Sequence, residues 1–131
     1  MSSNLELVRS IYADWERGDF SRNEWADPEI EFTMVGGPDP GSWTGVAGMA
    51  ERWREWVNAW RDFQGAPEDY RVLDSERVLV LVRNRGRGRT SGLELVQQSV
   101  ANLFQLRGGK VIKLIIYFDR DRALAELGLK G

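Results

Sequence analysis

Apolar residues recur along this chain at two spacings, three or four apart in the first half and mostly every second position in the second. Leu5, Val8, Ile11, Tyr12 and Trp15 follow the helical spacing. Ser3-Asn4-Leu5-Glu6 ahead of them reads as a capping box, in which a hydroxyl and a carboxylate satisfy the free N–H groups of a first turn. Gly18 is placed to end this helix, residues 20–25 allow one further turn, and Asp27-Pro28 breaks the chain. Ile30, Phe32 and Met34 alternate with Glu31, Thr33 and Val35, the pattern of a short strand. Residues 36–43 gather Gly and Pro around Trp43 and read as an irregular loop, with Thr44 as cap of the next helix. That helix is predicted over 46–63, where Val46, Met49, Ala50, Trp53, Trp56, Val57, Trp60 and Phe63 form one apolar face.

Beyond Gly65 and Pro67 the period becomes that of strands. Strand patterns cover 70–74, 78–85, 93–106 and 111–118, the first short and the third long. Between them, 85–92 reads as a basic flexible loop and Arg107-Gly108-Gly109-Lys110 as a hairpin turn. Asp119 or Asp121 can cap a short last helix carrying Ala123, Leu124 and Leu127. Helices first and a strand meander afterwards predict an α+β fold, with helices on one face of a curved sheet. The late strands are apolar on both parities, so a second subunit is expected on the open sheet face, making a homodimer.

Composition narrows the chemistry. The 131 residues fit one domain, 1–131, able to bury roughly two-thirds of its unfolded surface. The chain has neither cysteine nor histidine, so thiol chemistry and the commonest base and metal ligand are absent. No metal and no cofactor is expected. A net charge of −2 gives no pull toward nucleic acid or anionic membrane. No apolar run approaches the roughly 20 residues of a membrane span, and the N-terminal residues lack the pattern of a signal peptide, so a cytoplasmic location is expected. Six tryptophans is a high count, and all six lie in the N-terminal half. An indole is a costly core filler because its N–H needs a partner, so the cluster points to a cavity or an interface as well as to plain core.

Several segments resemble a known superfamily. Residues 12–20, Tyr12-Ala13-Asp14-Trp15-Glu16-Arg17-Gly18-Asp19-Phe20, resemble the end of the first helix in nuclear-transport-factor-2-like proteins. Trp43-Thr44-Gly45 resembles their entry into the middle helix. Gly109-Lys110-Val111-Ile112, Tyr117-Phe118-Asp119 and Leu124-Ala125-Glu126-Leu127-Gly128-Leu129 resemble the tail of the SnoaL-like branch. The resemblance implies a cone-shaped, cystatin-like curved sheet of antiparallel or mixed strands wrapped around the N-terminal helices, a deep pocket between them, and usually a homodimer. Its members include polyketide cyclases, ketosteroid isomerases, epoxide hydrolases, dehydratases and non-catalytic binders, so fold leaves function open.

For this chain the resemblance implies a Trp-lined pocket for a small apolar or aromatic guest. Its expected lining is Tyr12, Trp15, Phe32, Trp43, Trp53, Trp56 and Trp60, with Trp43 as a lid. Asp119 matches the acid of SnoaL-type cyclases, where a carboxylate on an apolar floor acts on a proton beside a carbonyl; as plain structure it is a helix cap. Tyr117 shares its strand parity and would donate to a ligand carbonyl, or be an ordinary half-buried strand tyrosine. Asn102 falls near the oxyanion-hole acid of ketosteroid isomerases, or hydrogen-bonds across the sheet. Gln97 and Gln98 differ in parity, and Gln98 shares that of Asn102 if no bulge intervenes. Arg83 either faces inward to hold an anion or begins the basic loop. Known catalytic sets are incomplete: the loop before the middle helix offers only Asp39 as a base, Tyr12 is one residue out of register with the isomerase tyrosine, no acid stands two residues after Arg83, and there is no histidine for dehydratase chemistry.

Overall fold

The computed structural model describes residues 3–17, 24–36, 40–58, 60–88 and 95–129. Helix α1 spans Ser3–Glu16, so Ser3 already lies inside the helix instead of capping it. Its stripe of Val8, Ile11 and Tyr12 is fully buried. The expected cap at Gly18 lies outside the described residues.

Strand β1, Ala26–Val35, starts earlier than its alternation suggested. Pro28 is accommodated because the pairing is irregular between Ala26 and Glu31, where a missing N–H breaks no ladder bond. Strand β2, Gly41–Thr44, pairs antiparallel with β1 and sets Trp43 opposite Phe32. The expectation of an irregular loop around Trp43 is therefore corrected. Thr44 does not cap the next helix either. Gly45 holds that position, donating its N–H to Ile30 O at 2.8 Å and accepting from Met49 N at 3.1 Å. Its φ of +96° is one that a side chain rarely permits.

Helix α2 covers Val46–Asn58, and strand β3 begins at Trp60 and runs to Val72. The predicted helix over 46–63 is thus too long. Residues 60–72 instead pair with strand β4, Arg77–Gly88, from Trp60 opposite Gly88 to Val72 opposite Val78. A run of Trp and Phe suits a strand as well as a helix, and the ladder decides between them. The basic segment is corrected as well, since Arg85 to Gly88 extend β4, while 89–94 lie outside the described residues. Strand β5, Leu95–Arg107, and strand β6, Lys110–Tyr117, close through Gly108 and Gly109. Both have positive φ, 61° and 78°, as a two-residue hairpin turn requires.

The strand order is β2-β1-β6-β5-β4-β3. Among the described residues only the β1–β6 pair is parallel. On the inner face, α1 and α2 cover a core that includes Phe32, Val78, Val80, Phe104 and Leu114. Helix α3, Arg120–Glu126, lies on the outer face over Leu79, Leu81, Leu103 and Tyr117. It ends in a Schellman motif, with Leu129 N bonded to Leu124 O and Gly128 N to Ala125 O. Helices α1 and α2 thus pack on the inner face, and α3 with the turn behind it packs on part of the outer one. Among the described residues no helix is long and apolar enough to cross a membrane.

Candidate functional site

A narrow cleft lies between the two long helices and the middle of the sheet. Tyr12 and Trp15, one turn apart on α1, line one side, and Trp53 of α2 lines another. Its floor is Gly65 of β3, Val82 and Asn84 of β4, and Asn102 of β5. The indoles of Trp15 and Trp53 stack, with centroids 4.9 Å apart and planes 26° apart. Tyr12 meets Trp15 edge-on at 5.0 Å, and Phe32 supports Trp53 from behind at 6.4 Å. Space open to the centre of a water molecule amounts to about 10 Å³, room for about one ordered water. An aromatic guest needs the helix-borne indoles to move apart.

The polar end of the cleft is a buried pair. Asn102 Nδ2 donates to the Tyr12 hydroxyl at 2.6 Å. Asn102 is only 3% exposed, and its Oδ1 is buried without a partner. Turning the amide over would let Tyr12 donate to Oδ1 and leave Nδ2 facing the cleft, so either orientation presents one uncommitted polar atom. Burial pushes the Tyr12 phenol far above its ordinary pKa, and the charge of Tyr70 adds to this, while the Asn102 hydrogen bond opposes it. Tyr12 is therefore a neutral hydrogen-bonding group across the physiological range. No carboxylate, lysine or arginine lines the cleft among the described residues.

The structure brings Tyr12, Trp15, Trp53 and Asn102 together and separates them from the other expected site residues. Asp119 is exposed at the N-terminus of α3, where its Oδ1 accepts from Arg122 N at 3.2 Å. With Ser99, Phe118, Arg120 and Asp121 it borders a wide polar groove on the outer side. Tyr117 pairs with Ala101 and packs among Ala123 and Leu124, whereas Ile116 pairs with Asn102. Neighbouring positions of a strand point to opposite faces, so Tyr117 and Asn102 stand on opposite sides of the sheet. Burial raises the Tyr117 phenol pKa, with help from the nearby Glu126. Arg83 also faces outward, its Nε 3.0 Å from Glu68 Oε2, where it neither holds a pocket anion nor begins a loop. The expected cluster of Asp119, Asn102 and Tyr117 is therefore not assembled.

Phe32 is core, and Trp43 lies over it at 6.3 Å with the Arg52 guanidinium 4.6 Å from its own ring, so Trp43 is a packed strand residue and not a lid. Trp60 belongs to β3 instead of α2. The side chains of Trp56, Trp60 and Gln98 lie outside the described residues. The backbone of Gln98 pairs with Asn84. Asn84 itself, with Gly65 and Val82, is a lining residue that the sequence reading missed. The signal was present: Asn84 continues the inward parity of Val78, Val80 and Val82, where a polar residue is out of place unless it has a partner or a task.

Helices gathered over one face of a six-stranded mixed sheet, with a cleft between them, define the nuclear-transport-factor-2-like, cystatin-like class of α+β domains. A family model for the SnoaL-like domain matches residues 8–114, and the chain belongs to that family. Solved structures agree on the fold. A nuclear-transport-factor-2-like protein from Burkholderia thailandensis superposes with a TM-score of 0.81 at 20% identity, covering 99% of this chain and 100% of that one. TerC, crystallised with polyporic acid, gives 0.77 at 21% identity over 96% and 98%. A candidate SnoaL-like polyketide cyclase from Jannaschia gives 0.75 at 16% identity over 95% and 88%. At these identities the likeness is one of fold. No curated protein matches the chain closely enough to mark a relative.

Proposed function

We propose that this SnoaL-like domain binds a small, neutral, ring-bearing molecule between Trp15, Trp53 and the sheet. The carbonyl or hydroxyl of the guest meets the Tyr12–Asn102 pair. One observation carries this reading: a buried polar pair in a cleft walled by indoles, with one amide atom uncommitted. Buried polar atoms without partners are uncommon in folded proteins, and a guest group would complete this one. Hydrogen-bond donors aimed at a carbonyl also stabilise negative charge that develops on it. Proton abstraction needs a base as well, and the carboxylate of Asp119 is engaged at the N-terminus of α3 on the other face. Binding is therefore the reading the geometry favours over acid–base cyclisation or isomerisation.

The test is a titration of the full chain with 2-naphthol, a steroid ketone and an anthraquinone, followed by indole fluorescence and calorimetry. Fluorescence should change with at least one of the three. Asn102→Leu should weaken that binding about tenfold, the worth of roughly one hydrogen bond. If none of the three alters the fluorescence or releases heat, the cleft is closed core and the reading fails.

A further inference from the structure

We infer that Asn84 is a second polar anchor at the far end of the cleft, so that the guest is about two fused rings long and carries a hydrogen-bonding group at each end. This rests on the cleft being a binding site. Asn84 is 6% exposed and lines the cleft. It sits in a strand whose other inward residues, Val78, Val80 and Val82, are all core.

The sheet register gives the spacing. Asn102 stands opposite Val80, while Asn84 stands opposite Gln98 on one side and Gly65 on the other. Four strand residues separate the two amides, about 13 Å at ~3.3 Å per residue. Both lie on the inner parity, and between them Val82 faces Val100 across the β4–β5 pair. The floor therefore reads polar, apolar, polar, beside the stacked indoles of Trp15 and Trp53. One hydrogen bond of about 3 Å at each end leaves about 7 Å between the polar atoms of the guest, the span of a naphthalene bearing oxygens at opposite ends. Gly65 lies beside Asn84 and has no side chain to fill the space there. An amide donates and accepts, so it accommodates a hydroxyl or a carbonyl. With no charged side chain lining the cleft among the described residues, an ionised guest would lose its hydration without a compensating partner.

Calorimetry with 2,6-dihydroxynaphthalene, 2-naphthol and naphthalene-2,6-dicarboxylate tests this on the full chain. The diol should bind about tenfold more tightly than 2-naphthol, through one additional hydrogen bond, and the dicarboxylate should give no heat. The gap between diol and naphthol should close in Asn84→Leu and persist in Asp119→Ala, which alters only the outer face. Asn84→Ser, with its shorter hydroxyl, should narrow the gap and serves if the leucine variant does not fold. Equal affinities for the two probes, or a gap that survives both Asn84 substitutions, would overturn the second anchor while leaving the binding site in place. Binding of the dicarboxylate would overturn the neutrality of the guest. Failure of both naphthols to bind the unmodified chain would overturn the two-ring guest and its second anchor, and silence of the steroid ketone and the anthraquinone as well would remove the binding site.

Discussion

Asp119 and Asn102 are both polar residues at places where family likeness suggests chemistry, and only the second points inward. The difference is a matter of faces. Asn102 lies in the middle of β5, where pleating aims it at Tyr12. Asp119 follows the end of β6 in extended conformation, φ −119° and ψ 106°, and turns its carboxylate onto the first turn of α3. Its capping role makes a quantitative prediction. Asp119→Ala should lower stability by about 1 kcal/mol, the usual worth of an N-cap, read as a shift of the urea midpoint. Guest affinity should stay unchanged. A variant of full stability that has lost binding would move Asp119 into the site. The sequence left Asp119 open between cap and base, because the N-cap pattern is local whereas a pocket acid is defined by what surrounds it.

Among the elements, the middle of the chain separates what periodicity can tell from what it cannot. Trp53, Trp56, Trp60 and Phe63 fit one helical stripe, yet the helix stops at Asn58 and β3 takes the rest. Pairing with β4 satisfies the backbone of β3 along one edge, a gain invisible in single-strand spacing. A charge clamp ties β3 to its surroundings: Glu68 accepts from Arg120 at 2.6 Å and from Arg83 at 3.0 Å. The hydrogen bonds from Arg120, then from Arg83, hold the Glu68 carboxyl below its ordinary pKa of 4.5. A carboxylate depressed in the folded state adds stability above its unfolded pKa and loses it as pH falls through the folded one. The melting temperature of the unmodified chain should therefore exceed that of Glu68→Gln at pH 7, and the two should converge as pH falls below 4.5. The difference should be small, because the clamp is partly exposed and screened. A difference that stays constant through the acid range would assign it to packing instead of charge.

At the scale of the whole molecule, the sheet has two covered faces with different tasks. The inner one carries the cleft. The outer one is sealed by seven residues of helix and the turn behind it, over Leu79, Leu81 and Leu103, which are 0%, 5% and 7% exposed. Removing residues 119–131 should uncover those leucines. The truncated chain should bind an apolar fluorescent dye strongly or aggregate at concentrations where the full chain does neither. A truncated chain that stays dispersed and dye-silent would mean the outer leucines need no cover from α3. Parity shows that a face is covered and is silent about what covers it.

By itself the sequence determined the α+β class, the SnoaL-like family, the buried stripe of α1, the Gly108-Gly109 hairpin and the alternation of the late strands. These follow from spacing, turn chemistry and propensity, all carried by residues close together in the chain. Only the tertiary structure decided where α2 yields to β3, which asparagines share a face, and that Tyr117 and Asp119 stand apart from Tyr12. Those depend on the register between strands distant in sequence, and a one-residue change of register moves a side chain from the cleft to the other side of the sheet.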